Sequence, residues 1–198
     1  MRTAVGTICT LALAALAAPA AAHPPAPVPR TALMAGTPIA PFWLTDQDGR
    51  PFDLARARGA PVIVTFFYTG CVDTCPIIAT RLLTLRSEMD PDLRRAVQFL
   101  FITVDPTRDR PAVLKAYAGR IGLDSTGWNL LTGSPKDIVA VGKQFQLVFR
   151  QAPGDRIDHT GAVYLLDREL AVRGVYPVAT LSPSEVLHDL AYLVGTHR

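Results

Sequence analysis

The sequence has few cysteines, no large excess of charge of either sign, and only one long uncharged apolar segment. Its three cysteines are Cys9, Cys71 and Cys75, and we expect the first to be lost with an N-terminal export signal. The net charge is +3 and the basic residues are scattered, which argues against nucleic acid as a partner. No internal repeat is present. The exported protein would therefore carry two thiols, four residues apart.

The apolar segment lies at the N-terminus and predicts export. Arg2 is the only charged residue in residues 1–22, and residues 20–22 are all alanine, as is typical of a signal-peptide cleavage site. An uncleaved anchor is the alternative, because residues 3–22 approach the ~20 residues that span a bilayer. In both cases the rest of the chain lies outside the cytoplasm, in the periplasm or at the outer face of the cytoplasmic membrane, where disulfides can form.

The remainder of the chain divides into a linker and one domain. Residues 23–35 contain four prolines and no apolar periodicity, which predicts a semi-rigid linker. Residues 36–198 are long enough for a single domain with a sizeable core. They contain no segment apolar and long enough to cross a membrane, so membrane contact is expected only if residues 1–22 stay uncleaved.

Hydrophobic patterning predicts an α/β domain. A hairpin is expected around the Asp48-Gly49 turn, followed by two continuous apolar runs typical of strands buried on both faces. Two further strands and a closing helix end the domain. The four strands after the hairpin are predicted at residues 61–68, 97–104, 161–167 and 171–176. With helices between them, this order predicts a thioredoxin-like fold with an N-terminal β-hairpin extension.

Helix boundaries are predicted from capping residues. A helix is expected from Pro76 to about Met89, and another near residues 135–145. Asp109, just before Arg110-Pro111, is interpreted as a helix cap, and Asp105 as a loop former. Ser182, with Glu185 three residues later, predicts a capping box for the last helix.

Cys71 and Cys75 lie where the strand 61–68 gives way to a helix. Backbone N–H groups and a partial positive charge at a helix N-terminus stabilise thiolates, so lowered pKa values are predicted for both thiols. The spacing brings the side chains to one face, within reach of a disulfide or a shared metal. Three intervening residues, rather than the two of thioredoxin-type oxidoreductases, favour the metal. A purely structural bridge would close too short a loop to stabilise much.

His159 is the candidate third ligand. It precedes the strand 161–167, and in a thioredoxin-like fold the loop before that strand lies beside the cysteine turn. His23 falls in the linker, His197 at the terminus, and His188 on the predicted surface of the last helix. Two thiolates with an imidazole suit copper, as Cu(I) or Cu(II).

Four sequence motifs, taken together, resemble a known protein family more specifically than any single residue does. They are Phe42-x-Leu44-x-Asp46-x-x-Gly49, Tyr68-Thr69-x-Cys71-x-x-x-Cys75-Pro76, Val104-Asp105-Pro106-x-Arg108-Asp109, and Asp158-His159-Thr160 leading into Tyr164-Leu165-x-Asp167. Together they resemble the Sco/SenC family of copper-binding assembly proteins for cytochrome c oxidase. The chain departs from the family in having Val72 and Thr74, where proline and a bulky aliphatic residue are common.

The resemblance implies a thioredoxin-like, monomeric protein that binds copper through Cys71, Cys75 and His159. It implies delivery of that copper to the CuA-bearing subunit of cytochrome c oxidase, with another copper chaperone as donor. The resemblance thus favours a metallochaperone over an enzyme and leaves thiol–disulfide oxidoreductase activity open. The alternative is a thiol–disulfide reductase acting on the cysteines of the same or another exported target through Cys71 and Cys75, without His159. A peroxidase is a third reading, but the expected Pro-x-x-x-Thr-x-x-Cys pattern is absent.

Overall fold

The computed structural model describes residues 34–123, 127–153 and 156–195; the predicted signal segment 1–22 lies outside them. The strands are β1 (Trp43–Thr45), β2 (Pro51–Asp53), β3 (Val62–Phe67), β4 (Gln98–Thr103), β5 (Trp128–Leu131), β6 (Phe149–Gln151), β7 (Ile157–His159), β8 (Ala162–Leu166) and β9 (Val172–Pro177). The helices are α1 (Thr74–Glu88), α2 (Pro91–Ala96), α3 (Pro111–Ile121), α4 (Pro135–Gln144) and α5 (Pro183–Val194). Within these ranges no helix combines the length and apolar character needed to cross a bilayer.

A five-stranded sheet in the order β5-β4-β3-β8-β9 forms the centre of the domain. Strand β3 runs parallel to β4, and β4 to β5, whereas β8 and β9 are antiparallel to their neighbours. All six residues of β3 are buried, as expected for a central strand covered on both faces. The α/β, thioredoxin-like fold predicted from the sequence is confirmed.

Alternate side chains of β3 enter two separate cores, because successive residues of a strand point to opposite faces. Val64 and Phe66 pack in one core, with side chains from the N-terminal segment and α4. Ile63 and Phe67 pack in the other, with side chains from α1, α2, α3 and α5. The C-terminal end of β3 therefore leads directly into the loop before α1, between the two layers.

Two features of the N-terminal half follow local turn chemistry. The predicted hairpin is present, with β1 antiparallel to β2 and Gly49 at a φ of +77° in the turn, a conformation that glycine adopts without strain. Helix α2 was missed by the sequence reading. Asp90 accepts hydrogen bonds from the N–H groups of Asp92 and Leu93, both at 2.9 Å, and so begins α2 directly after Met89, where the preceding helix was predicted to end.

The capping box predicted for the last helix is wrong. Ser182 precedes α5 and Pro183 occupies its first turn, but the Ser182 side chain makes no capping hydrogen bond. Its hydroxyl lies 2.9 Å from that of Ser184 instead. The inward face is as expected, with Val186 and Leu190 fully buried, so packing rather than this cap fixes the helix.

Candidate metal and thiol site

The two cysteines occupy different positions at the end of β3. Cys71 lies in the loop of residues 68–73, before the first residue of α1, whereas Cys75 is the second residue of that helix. Helix α1 begins at Thr74, two residues earlier than predicted, and this turns Cys75 toward the core. Cys75 is 2% exposed, whereas Cys71 is half-buried.

The thiols are free rather than joined by a disulfide, and hydrogen bonds concentrate on Cys71. The backbone N–H of Cys75 donates to Cys71 Sγ at 3.4 Å, and Thr74 Oγ1 lies 3.9 Å from the same sulfur. The pKa of Cys71 is lowered to about 5, chiefly by a hydrogen bond from the Cys75 thiol. Partial desolvation opposes this shift, and hydrogen bonds from the backbone N–H groups of Cys75 and Asp73 add to it. The lowered pKa predicted for Cys71 is confirmed.

The prediction of a lowered pKa is wrong for Cys75. Its thiol is a hydrogen-bond partner of Cys71, it is buried, and it lies beside the negative charge of the Cys71 thiolate; all three raise the pKa of Cys75 well above the ordinary value. A buried thiol that donates its proton to a neighbouring thiolate cannot easily ionise as well. The pair thus holds one thiolate and one thiol at neutral pH.

Asp109 anchors the cysteine loop to the end of β4. Its side chain is 1% exposed and accepts from the Thr69 N–H at 3.0 Å, the Thr69 hydroxyl at 2.5 Å and the Thr103 hydroxyl at 2.5 Å. The predicted role as a helix cap is wrong, because Arg110 occupies that position before α3. Since Thr69 is 40 residues away in sequence, no local pattern could reveal this contact.

Asp105 behaves as predicted. Its carbonyl accepts from the N–H groups of Arg108 and Asp109 at 3.2 and 2.9 Å, which closes the turn between β4 and α3. Its carboxylate forms an ion pair with Arg108 at 3.4 Å. Asp105 therefore shapes the loop that presents Asp109 to the cysteine loop.

His159 is the last residue of β7 and pairs with Phe149 of β6, so the expectation of a loop position is wrong. Its Nδ1 lies 3.1 Å from the Thr160 carbonyl oxygen. A hydrogen bond from Nδ1 to a backbone carbonyl fixes the tautomer and leaves Nε2 as the metal-binding nitrogen, an arrangement common among histidine ligands.

Cys71 and His159 line the same cleft, which has a volume of about 220 Å³. The lining residues are Tyr68, Cys71, Asp73, Thr74, Arg156, Ile157, Asp158 and His159. The predicted neighbourhood of the cysteine turn and the histidine is therefore present. Cys75 does not line the cleft, and among the residues that the structure describes no three His, Cys, Asp or Glu side chains form a ready-made metal cluster.

The other histidines and the neighbour of His159 have different surroundings. His188 is exposed on α5, with Nδ1 3.3 Å from the Asp189 carboxylate, as predicted for a surface residue; His23 and His197 lie outside the described ranges. Asp158 forms ion pairs with Arg156 at 2.9 Å and Arg150 at 3.5 Å. The Asp158 carboxylate is thus paired with two arginines rather than with the His159 imidazole.

Tyr68 lines the cleft although the sequence reading did not single it out as a site residue. It is the last residue of an apolar run, where the pattern predicts a core residue. Its hydroxyl accepts a hydrogen bond from the Ile157 N–H at 3.3 Å, across 89 residues of sequence. Its ring lies edge-on to that of His159, with centroids 6.2 Å apart.

Fold and site together define a thioredoxin-like protein with a Cys-x-x-x-Cys pair after its first central strand and a histidine across a shared cleft. The SCO1/SenC family model matches residues 31–195. The chain belongs to the SCO1/SenC family.

Relatives and solved structures agree with this membership. The chain is 35% identical over 136 residues to the mitochondrial protein SCO2 of Saccharomyces cerevisiae, a match over 65% of this chain and 44% of that protein. The copper-bound ScoI of Bradyrhizobium japonicum is similar with a TM-score of 0.69 and 29% identity, over 79% of this chain and 99% of that one. A SCO1/SenC family lipoprotein of Bacillus anthracis gives 0.74 and 28%, over 82% and 98%. The chain spans about half the length of the yeast and mouse SCO2 proteins it matches.

Proposed function

We propose that this protein binds a copper ion through Cys71, Cys75 and His159 outside the cytoplasm and assists maturation of the CuA centre of cytochrome c oxidase. One observation carries the proposal: a low-pKa Cys71 and His159 line a single cleft, with the Cys75 thiol hydrogen-bonded to Cys71. Membership of the SCO1/SenC family and the copper-bound relative from Bradyrhizobium japonicum support it.

The donor set fits copper. Two sulfurs and an imidazole nitrogen are soft and borderline ligands, which suit copper in both oxidation states. Cys71 is already ionised at neutral pH, so it provides the first contact for an incoming ion. Binding by Cys75 requires loss of its proton and of its hydrogen bond to Cys71, since only a thiolate ligates. The metal-free state is therefore a protonated precursor of the three-ligand site.

The surroundings of the thiols suit handover of the ion. Val72, between the cysteines, is 85% exposed, and Cys71 lines the cleft together with His159. Ligands of a partner protein can then approach copper without unfolding the domain. The partners proposed are the CuA-bearing subunit as acceptor and another copper chaperone as donor, with this protein acting as a monomer.

Export is part of the proposal. Residues 1–22 are proposed as a cleaved signal or retained anchor, residues 23–35 as a linker, and residues 36–198 as the copper-binding domain. The lipoprotein relative of Bacillus anthracis supports a location at the outer face of the cytoplasmic membrane or in the periplasm.

The asymmetric thiols favour a second candidate, a thiol–disulfide reductase. The Cys71 thiolate would attack a target disulfide, form a mixed disulfide and release one target thiolate. Cys75 would then pass its proton to the released target thiolate and attack Cys71 Sγ, which breaks the mixed disulfide and releases the second target thiolate. The target gains two electrons, and this chain is left with a Cys71–Cys75 disulfide. Nothing in this sequence of steps uses His159.

Copper titration of reduced residues 23–198 separates the two candidates. Cu(I) affinity is measured by chelator competition and Cu(II) binding by thiolate-to-copper charge-transfer absorption. We expect wild type and His188→Ala, a matched surface histidine, to bind one equivalent equally well. Loss of a ligand in His159→Ala or Cys75→Ser should weaken binding by about 100-fold or more, beyond the 10–100-fold that supporting residues contribute.

Transfer to the client is tested with an isolated CuA domain, by the appearance of its CuA absorption. His159→Ala should fail to transfer copper. If His159→Ala binds and transfers like wild type while both proteins reduce a disulfide substrate equally, the chaperone proposal is wrong and the reductase takes its place.

A further inference from the structure

The ribbon that carries His159 is separate from the main sheet. Strands β6 and β7 pair with each other and, in the part of the chain that the structure describes, with no other strand. A two-stranded ribbon is marginally stable by itself, so contacts outside the ribbon must fix its position. That position decides how far His159 lies from the cysteine loop.

The ribbon contacts the rest of the domain through Phe149 of β6, which packs partly buried against the core, and through Ile157 of β7. The Ile157 side chain is 7% exposed and belongs to the core that contains Val64 and Phe66. Its backbone N–H points away from β6 and donates to the Tyr68 hydroxyl at 3.3 Å. Tyr68 is itself 6% exposed, and a buried N–H without a partner is costly. The Tyr68 hydroxyl is therefore the polar link between β7 and the cysteine loop.

The other end of this link is held rigidly. The Tyr68 carbonyl accepts from the Cys71 N–H at 3.1 Å, and the next residue, Thr69, is anchored to buried Asp109. Tyr68 thus belongs to the thiol loop through its backbone and contacts the ribbon through its side chain. Its ring, edge-on to His159 at 6.2 Å, also limits the space into which the imidazole can turn.

We propose that Tyr68 is a positioning residue that fixes His159 relative to Cys71 through the hydrogen bond between its hydroxyl and the Ile157 backbone. The expected effect on copper binding rests on the proposed function. The expected effect on the position of His159 in the metal-free protein does not depend on it. The substitution Tyr68→Phe removes only the hydroxyl, and it keeps the ring and every backbone contact of the thiol loop.

Tyr164 offers a matched control. It is 2% exposed, and its hydroxyl donates to the Phe145 carbonyl at 3.1 Å, away from the cleft. Tyr164→Phe therefore also deletes one buried tyrosine hydroxyl and its hydrogen bond. A general loss of stability should affect both variants alike, whereas a loss of positioning should appear in Tyr68→Phe alone.

The experiment compares full-length wild type, Tyr68→Phe and Tyr164→Phe in the reduced state. In metal-free protein we measure amide hydrogen exchange at Ile157, the ring resonances of His159 and the pH midpoint of Cys71 alkylation. We then measure Cu(II) affinity and charge-transfer absorption. In Tyr68→Phe we expect exchange at Ile157 to be faster by about tenfold, the cost of one buried hydrogen bond, displaced His159 resonances and copper binding weakened by about the same factor. The alkylation midpoint should not move.

Unchanged exchange at Ile157 or unchanged His159 resonances in Tyr68→Phe, relative to Tyr164→Phe, would overturn the inference. So would copper binding as tight as that of Tyr164→Phe. If wild type binds no copper, the proposed function fails, and the metal-free measurements alone decide the inference: faster exchange with displaced His159 resonances supports it, and no change refutes it.

Discussion

Removing the Cys75 thiol should return the Cys71 pKa toward the ordinary value of about 8.5. In the metal-free protein the hydrogen bond from Cys75 is the largest of the effects that lower the pKa of Cys71 to about 5. The backbone N–H of Cys75, 3.4 Å from Cys71 Sγ, survives any side-chain substitution. Cys75→Ala thus removes the dominant donor and spares the helix N-terminus, which separates the two causes.

The magnitude is best seen in alkylation rates at pH 5.5. With a pKa of about 5, roughly three quarters of Cys71 is thiolate, against roughly one in a thousand for a thiol of pKa ~8.5. A less basic thiolate is also intrinsically less nucleophilic. With a Brønsted slope of ~0.45, a pKa lower by ~3.5 units reduces the reactivity of the thiolate by about 40-fold. Wild-type Cys71 should therefore react about 20-fold faster than an ordinary thiol at this pH. At pH 7 the two effects nearly cancel, so a single measurement there would mislead.

The assay is the pH profile of iodoacetamide modification, with the modified residue identified by peptide mass. Wild type should show a midpoint near 5 at Cys71 and little modification of buried Cys75. Cys75→Ala should move the midpoint up by more than two pH units, whereas Cys75→Ser, whose hydroxyl can still donate, should move it less. A wild-type midpoint near 8, or a Cys75→Ala midpoint still near 5, would refute the assignment of the Cys75 thiol as the cause.

Three further outcomes are expected. Copper binding at pH 7 should release about one proton, because Cys71 is already ionised and Cys75 is not. Calorimetry in buffers of different ionisation enthalpy measures the number of protons released, and a value near two would contradict the difference in pKa between the two thiols. The reduced, metal-free protein should gain stability as the pH rises from about 5 to about 8.5, because over that range the unfolded chain binds more protons at Cys71; urea unfolding of Cys71→Ser should show a flatter profile. Asp109→Ala should lower the free energy of unfolding by roughly 3 kcal/mol, since it leaves the buried Thr103 hydroxyl and the partly buried Thr69 donors unpaired. A loss below 1 kcal/mol in urea unfolding would contradict that anchoring.

The parts of the fold that the sequence predicts well are those with strong local patterns. The apolar runs of β3 and β4 and the Asp48-Gly49 turn each have a single physical interpretation. Strand β5 was missed because four residues give too little periodicity to separate a strand from a loop. Strand β7 was missed for another reason. Its three residues form a strand by pairing with the equally short β6, and the ribbon is placed by contacts of Ile157 with the core and with the Tyr68 hydroxyl, which no local window contains.

The candidate site divides in the same way. The nearness of His159 to Cys71 follows from fold topology and was predictable once the strand order was known. The opposite pKa shifts of the two thiols were not, because they depend on α1 beginning at Thr74 rather than near Pro76. Within the first turn of α1, Cys75 is buried in the core, whereas Cys71 is only half-buried. Sequence spacing gives the distance between two thiols along the chain, but burial decides which one keeps its proton.

The hydrogen bond between the two thiols serves metal binding and disulfide reduction equally. Each function begins with an ionised Cys71, and each requires Cys75 to release its proton in a later step. The cysteines alone therefore cannot select between the two functions. If copper binds as proposed, the selection falls to the imidazole, since a histidine at the cleft would stabilise the copper-bound state without aiding attack on a disulfide. The residues that hold β7 in place would then shift the balance between metal binding and disulfide reduction, by about tenfold in the case of the Tyr68 hydroxyl.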